Sequence, residues 1–139
     1  MKYGSLILEK KEYVYLKRIL NISGYTGDFE VQNSLLQLNK ELKNALIVDE
    51  SEMPNDIIRF NSIVSISAEN NWKKTLQIVI PTEVDIEKNK ISILTPLGAS
   101  LIGRSSNDNI QCTSNSGEQK IIIESVRLDK NQEKIKVLI

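Results

Sequence analysis

The sequence predicts an α+β protein: an N-terminal antiparallel helical hairpin, a short coiled coil, followed by an antiparallel sheet with one short helix. Two observations carry this expectation. Up to about residue 46 apolar residues recur every three or four positions, and after residue 57 they recur every second position. Between the two patterns lies "VDESEMPNDI", residues 48–57, a polar stretch holding Pro54, which reads as a linker. The expected units are therefore 1–50, the hairpin, and 51–139, the sheet domain.

The first helix is written in residues 9–20, "EKKEYVYLKRIL", where Tyr13, Leu16 and Leu20 form one stripe among charges. The second runs from about Asp28 to Leu46, with Val31, Leu35, Leu38, Leu42 and Ala45 spaced by alternating fours and threes, the seam of a paired helix. At 1.5 Å per residue it would be about 28 Å long, a short arm. Gly24 and Gly27 punctuate the turn between the helices. Beyond the linker, Val64, Ile66 and Ala68 alternate with Ile63, Ser65 and Ser67, and "TLQIVIP", "KISILTP", "NIQCTS" and "KIIIESV" are further runs of strand length. "PLGASLIG", residues 96–103, reads as a helix opened by Pro96 and stopped by Gly103, and "NSGE", residues 115–118, as a hairpin turn.

Composition removes several functions. The chain has 139 residues, 18 Lys plus Arg against 18 Asp plus Glu, and no histidine. Histidine-based nucleophile pairs and zinc sites are thereby excluded, and no metal or other cofactor is expected. The charge balance also holds locally, which removes the electrostatic warrant for sequence-specific nucleic-acid binding. Cys112 is the one cysteine and cannot form an internal disulfide, so it reads as a structural thiol. No apolar run approaches the roughly 20 residues of a membrane helix, and "SLIL" at 5–8 is too short for an export signal, so a soluble, cytoplasmic monomer is expected.

Residues 90–110, "KISILTPLGASLIGRSSNDNI", resemble the C-terminal domain of the GreA/GreB family of bacterial transcript-cleavage factors. The likeness rests on Thr95-Pro96, Leu101-Ile102-Gly103 and Asn107-Asp108, with Ser116-Gly117-Glu118 similar to the family's Gly-Gly-Glu turn. The run Glu52-Met53-Pro54, Asp56, Ile57-Ile58 and Asn61-Ser62 is similar to the short-armed Rnk branch of that family, named for regulation of nucleoside diphosphate kinase. The resemblance implies an FKBP-like sheet domain and binding to RNA polymerase near its secondary channel. Pro54, Asp56, Asn61, Ser62, Pro96, Gly103 and Asp108 would be mainly structural in it.

The resemblance also frames "SGYTGDFEVQN", residues 23–33. In the cleavage factors the hairpin tip carries Gly-Asp-Leu-x-Glu-Asn, whose two acids help hold a magnesium ion at the polymerase active centre. Here Gly27, Asp28 and Phe29 match, but Val31 occupies the second acid's place and Glu30 lies one residue early. Asp28 also suits a helix N-cap, with Glu30 favourably placed at the positive end of the helix dipole. The expectation is a partner-binding tip of Asp28, Phe29 and Glu30 on a regulator that is not an enzyme, competing with Gre factors without stimulating cleavage. Alternatives are a peptidyl-prolyl isomerase, poorly served by Phe60 and Trp72 as the sole aromatics after residue 50, and a protein–protein adaptor.

Overall fold

The computed structural model describes residues 3–23, 29–69, 72–114 and 117–129. The order of elements begins β1 (Ile7–Glu9), α1 (Lys10–Ser23), α2 (Phe29–Leu42) and β2 (Leu46–Val48). It continues with β3 (Ser62–Ala68), β4 (Lys73–Val79), β5 (Lys90–Ser92), α3 (Pro96–Leu101), β6 (Asn109–Ser114) and β7 (Gly117–Leu128). The architecture is α+β, as the change of apolar period predicts.

The helical stripes are the buried ones. Leu16 and Leu20 of α1 and Leu35, Leu38 and Leu42 of α2 join one core cluster, with Tyr13, Val31 and Ala45 packed at its border. Lys17 Nζ donates to Asn39 Oδ1 at 2.8 Å, linking the helices side to side. Helix α1 starts on Glu9, whose carboxylate accepts from the backbone N–H of Glu12 at 2.9 Å and so satisfies a first-turn donor.

Two short strands correct the reading of the first 50 residues. The second helix stops at Leu42, not Leu46, because residues 46–48 pair in parallel with residues 7–9. "SLIL" supplies β1, and the two helices are the crossover that any parallel pair requires. With 14 residues α2 is about 21 Å long, shorter than the seam predicts. Within the expected linker, Glu50–Glu52 forms a 3-10 turn and Ile57 bridges to Ser105.

The larger sheet has the order β5-β4-β3-β7-β6. Three of its pairings are antiparallel, as expected, but β4 and β5 run parallel, so the sheet is mixed. Val64, Ile66, Leu76, Ile78, Ile110, Ile121 and Ile123 face the core. Opposite the Ser65/Ile66 step β7 inserts an extra residue, Glu124, which shifts the strand's phase. The shift lets Val126 continue the core face where strict alternation would place Ser125. Pairing of β6 with β7 extends to Ser114 and Gly117; the turn residues Asn115 and Ser116 and the side chain of Cys112 lie outside the described set.

Helix α3 follows its sequence signals closely. Thr95 is the N-cap, accepting from Gly98 N–H at 3.0 Å, Pro96 takes the first turn, and Gly103 has φ +82° just beyond the end. The core cluster passes without a break from Leu6 and Leu8 through the helices to Ile58, Leu101, Ile102 and the sheet.

Candidate partner-binding site

The far ends of α1 and α2 present the most exposed apolar side chains of the helices. Ile22, in the last turn of α1, is 84% exposed, and Phe29, the first residue of α2, is 76% exposed. A phenylalanine held in water at a helix start gives nothing to folding and is free to be buried in another molecule. Glu30 is half-buried beside it, its carbonyl accepting from Ser34 Oγ at 2.9 Å. Asp28 lies outside the described residues. Val31 turns to the core border, as its place in the seam predicts. Position 31 itself carries no carboxylate, and no group of three potential metal ligands occurs among the described residues.

The residues marked by the family motifs stand apart from this tip and build the frame beneath it. Segment 56–58 lies against 103–106: Ser106 N–H donates to Asp56 O, Ile58 N–H to Arg104 O and Gly103 N–H to Ile58 O, at 2.8 to 3.0 Å. The Gly103 carbonyl in turn accepts from Ile7 N–H at 3.1 Å, tying β1 to the same frame. Asp56 accepts from the Tyr3 hydroxyl at 2.8 Å. Asp108 is buried and its Oδ2 accepts from both N–H and Oγ of Ser105, at 3.0 and 3.1 Å, closing the turn into β6. Asn61 and Asn107 both take positive φ, 70° and 69°, a conformation asparagine tolerates better than most residues. Ser62 is fully buried, its Oγ accepting from Arg59 N–H at 2.7 Å. Pro54 is half-buried after the 3-10 turn and Pro96 opens α3.

Two arginines whose ion pairs sequence reading missed join the helices to this frame. Arg59 Nε meets Glu12 Oε2 of α1 at 2.9 Å, and its Nη1 meets Glu50 at 2.7 Å. Arg104 Nη2 meets Glu41 of α2 at 2.8 Å, while its Nε donates to the Ser100 carbonyl. The available signal was a lone arginine between buried neighbours, Ile58 and Phe60, since a charge in such a run needs a partner. Tyr15 packs edge-on against Phe60 at 5.9 Å beside the first pair.

Burial pushes the Glu12 carboxyl up to about 7 against an ordinary 4.5, outweighing the attraction of Arg59, and Glu9 and Glu50 push the same way. Between these values the folded chain keeps a proton that the unfolded chain has lost. Stability from this group is thus complete below pH 4.5 and is lost as pH rises through about 7. The loss should be on the order of 3 kcal/mol. Urea midpoints should fall between pH 5 and pH 8 for the native chain, and Glu12→Gln should flatten that fall; an unchanged slope would remove Glu12 as its source.

A helical arm mounted through parallel strands and paired charges beside a mixed sheet defines an α+β protein, and the freest apolar groups of its helices sit at the arm's far end. Residues 53–128 match the family model described as transcription elongation factor, GreA/GreB, C-terminal. The chain belongs to the GreA/GreB family. A transcription elongation factor GreA of Clostridium botulinum is 38% identical over 91 residues, 65% of this chain and 57% of the relative. One from Sphingopyxis alaskensis is 31% identical over 97 residues, 70% of this chain and 61% of the relative. The chain thus matches less than two thirds of the length of these curated relatives. The structure of a transcription elongation factor GreA/GreB from Nitrosomonas europaea superposes with a TM-score of 0.72 at 26% identity, covering 89% of this chain and 98% of that one.

Proposed function

We propose that this protein is a transcription regulator of the Rnk type that binds RNA polymerase at its secondary channel and competes with Gre factors without stimulating transcript cleavage. In this reading residues 51–139 carry the anchoring surface, residues 1–50 the arm, and Asp28 caps α2. It acts as a monomer in the cytoplasm, without a cofactor or chemistry of its own. The observation that carries the reading is Val31 at the core border where the cleavage factors' second acid belongs, on a helix of 14 residues. One carboxylate fixes magnesium poorly, because the ion demands near-octahedral oxygen geometry.

The test is a stalled elongation complex. The native chain should displace a GreA-type factor and release no cleaved transcript; robust magnesium-dependent cleavage, lost on Asp28→Asn, would refute the reading. Val31→Glu separates the missing acid from the short arm: cleavage gained by the folded variant implicates the acid, and none gained implicates reach. Phe29→Ala should leave stability within about 0.5 kcal/mol, since the ring is exposed, yet weaken polymerase binding about 10-fold or more. Unchanged affinity would remove the tip from the interface.

A further inference from the structure

We propose that the groove between α2 and the free edge of β6 receives an extended acidic peptide segment of a partner protein, which joins the sheet as a sixth strand. Among the described residues β6 pairs with β7 alone, and it ends the sheet order. The two edges of this sheet are built differently. β5 is three residues long and begins with Lys90, a short and charged edge of the kind that discourages pairing. β6 is six residues long, "NIQCTS", with neither a charge nor a proline to guard it. Every second residue of such a strand turns its N–H and C=O outward, ready for a new strand.

The space beside that edge has the right form. A groove of about 1110 Å³ is lined by Asn109 and Gln111 of β6, by Ala99 and Ser100 of α3, by α2 from Phe29 to Glu41, and by Lys43 just beyond it. A strand of six residues spans about 20 Å, close to the length of a 14-residue helix. Leu36, 47% exposed on the helical wall, offers an apolar seat for a peptide side chain. The charge of the groove selects the occupant. Its walls hold Lys17, Lys40, Lys43 and Arg104 against Glu30 and Glu41, two net positive charges in a chain whose total is zero. Arg104 engages Glu41, which leaves three lysines facing Glu30. Strand addition draws affinity from backbone bonds and selectivity from the pockets alongside, so the ligand is an extended, acidic segment with alternate apolar residues.

The experiment uses the full chain and a fluorescein-labelled ten-residue peptide of alternating valine and glutamate, read by fluorescence anisotropy. Binding should weaken about 10-fold or more when lysine replaces glutamate in the peptide, and likewise in the protein variant Lys40→Glu/Lys43→Glu, whose sites are exposed in the last turn of α2 and just beyond it. N-methylation of the peptide amides on one edge should abolish binding, while methylation on the other edge is tolerated, a contrast that leaves the protein unaltered. The proposal is overturned if the peptide fails to bind at millimolar concentration, if both charge forms bind alike, or if the two methylated sets behave alike. Tighter binding of a ten-nucleotide polyadenylate, or sedimentation as a dimer that the peptide does not dissociate, overturns it as well.

Discussion

Arg59→Met should destabilise the protein by about 3 kcal/mol at pH 8, and by clearly less at pH 5. Methionine approximates the arginine's aliphatic stem, so what is lost is the guanidinium and its bonds to Glu12 and Glu50. The Glu12 side chain is only 12% exposed, and without Arg59 its charge has no compensation from that side. At pH 8 the carboxyl must either stay ionised in a poor environment or take up a proton against the solution. At pH 5 it is already neutral, because burial holds it up to about 7, and the missing cation matters less. The double variant Arg59→Met/Glu12→Gln should recover much of the loss at pH 8, since no buried charge is left unpaired. Urea denaturation of the four proteins of this cycle at both pH values is the measurement. A loss independent of pH, or no recovery in the double variant, would show that Arg59 acts through packing alone.

Gly98→Ala should cost about 3 kcal/mol, although alanine is the better helix former by about 1 kcal/mol. A Cβ at this position would stand 2.3 Å from the Ser92 carbonyl oxygen and 3.0 Å from Ile93 Cα, both backbone atoms that no side-chain rotation can clear. The same Ser92 carbonyl accepts from Thr95 Oγ1 at 2.8 Å, so moving it also disturbs the cap of α3. Gly103→Ala is the comparison. There the penalty comes from φ of +82° and a contact with Leu6 Cβ at 3.1 Å, far looser than the 2.3 Å approach at Gly98 and open to relief by a shift of a few tenths of an ångström. Thermal unfolding should rank Gly98→Ala below Gly103→Ala, and both below the native chain. A Gly98→Ala protein as stable as the native one would mean that the turn between β5 and α3 yields at little cost.

Much of the fold was legible because it is periodic. The seam at Leu35, Leu38 and Leu42 and the alternation at Val64, Ile66 and Ala68 each repeat one geometric unit, and burial follows the repeat. Helix α3 was legible for a local reason, since Thr95, Pro96 and Gly103 are start and stop signals that act within one or two turns. The strands β1 and β2 were not legible. Three residues are too few to show a period, and their partners lie about 40 positions apart, so the helix pattern seemed to run on to Leu46. The parallel β4–β5 pairing was hidden likewise, because strand direction is set by the path of the 3-10 turns at Pro81–Glu83 and Ile86–Lys88.

The candidate site divides along the same line. Sequence by itself determined the residue types: an apolar Phe29 two residues after Gly27, valine at 31 in place of an acid, no histidine anywhere, and Pro54, Asn61, Pro96, Gly103 and Asp108 at the motif positions. The histidine count and the helix signals at Pro96 and Gly103 follow from composition and near-neighbour chemistry, while the weight given to Val31, Pro54, Asn61 and Asp108 came from the resemblance to the GreA/GreB family; neither needs knowledge of distant contacts. Only the tertiary structure decided that Glu12 meets Arg59, that Glu41 meets Arg104, and that α2 and β6 line one groove. Such pairings join residues 47 and 63 positions apart. They are selected by how the shared core packs, and a charge carries no local mark of which opposite charge the packing will bring to it.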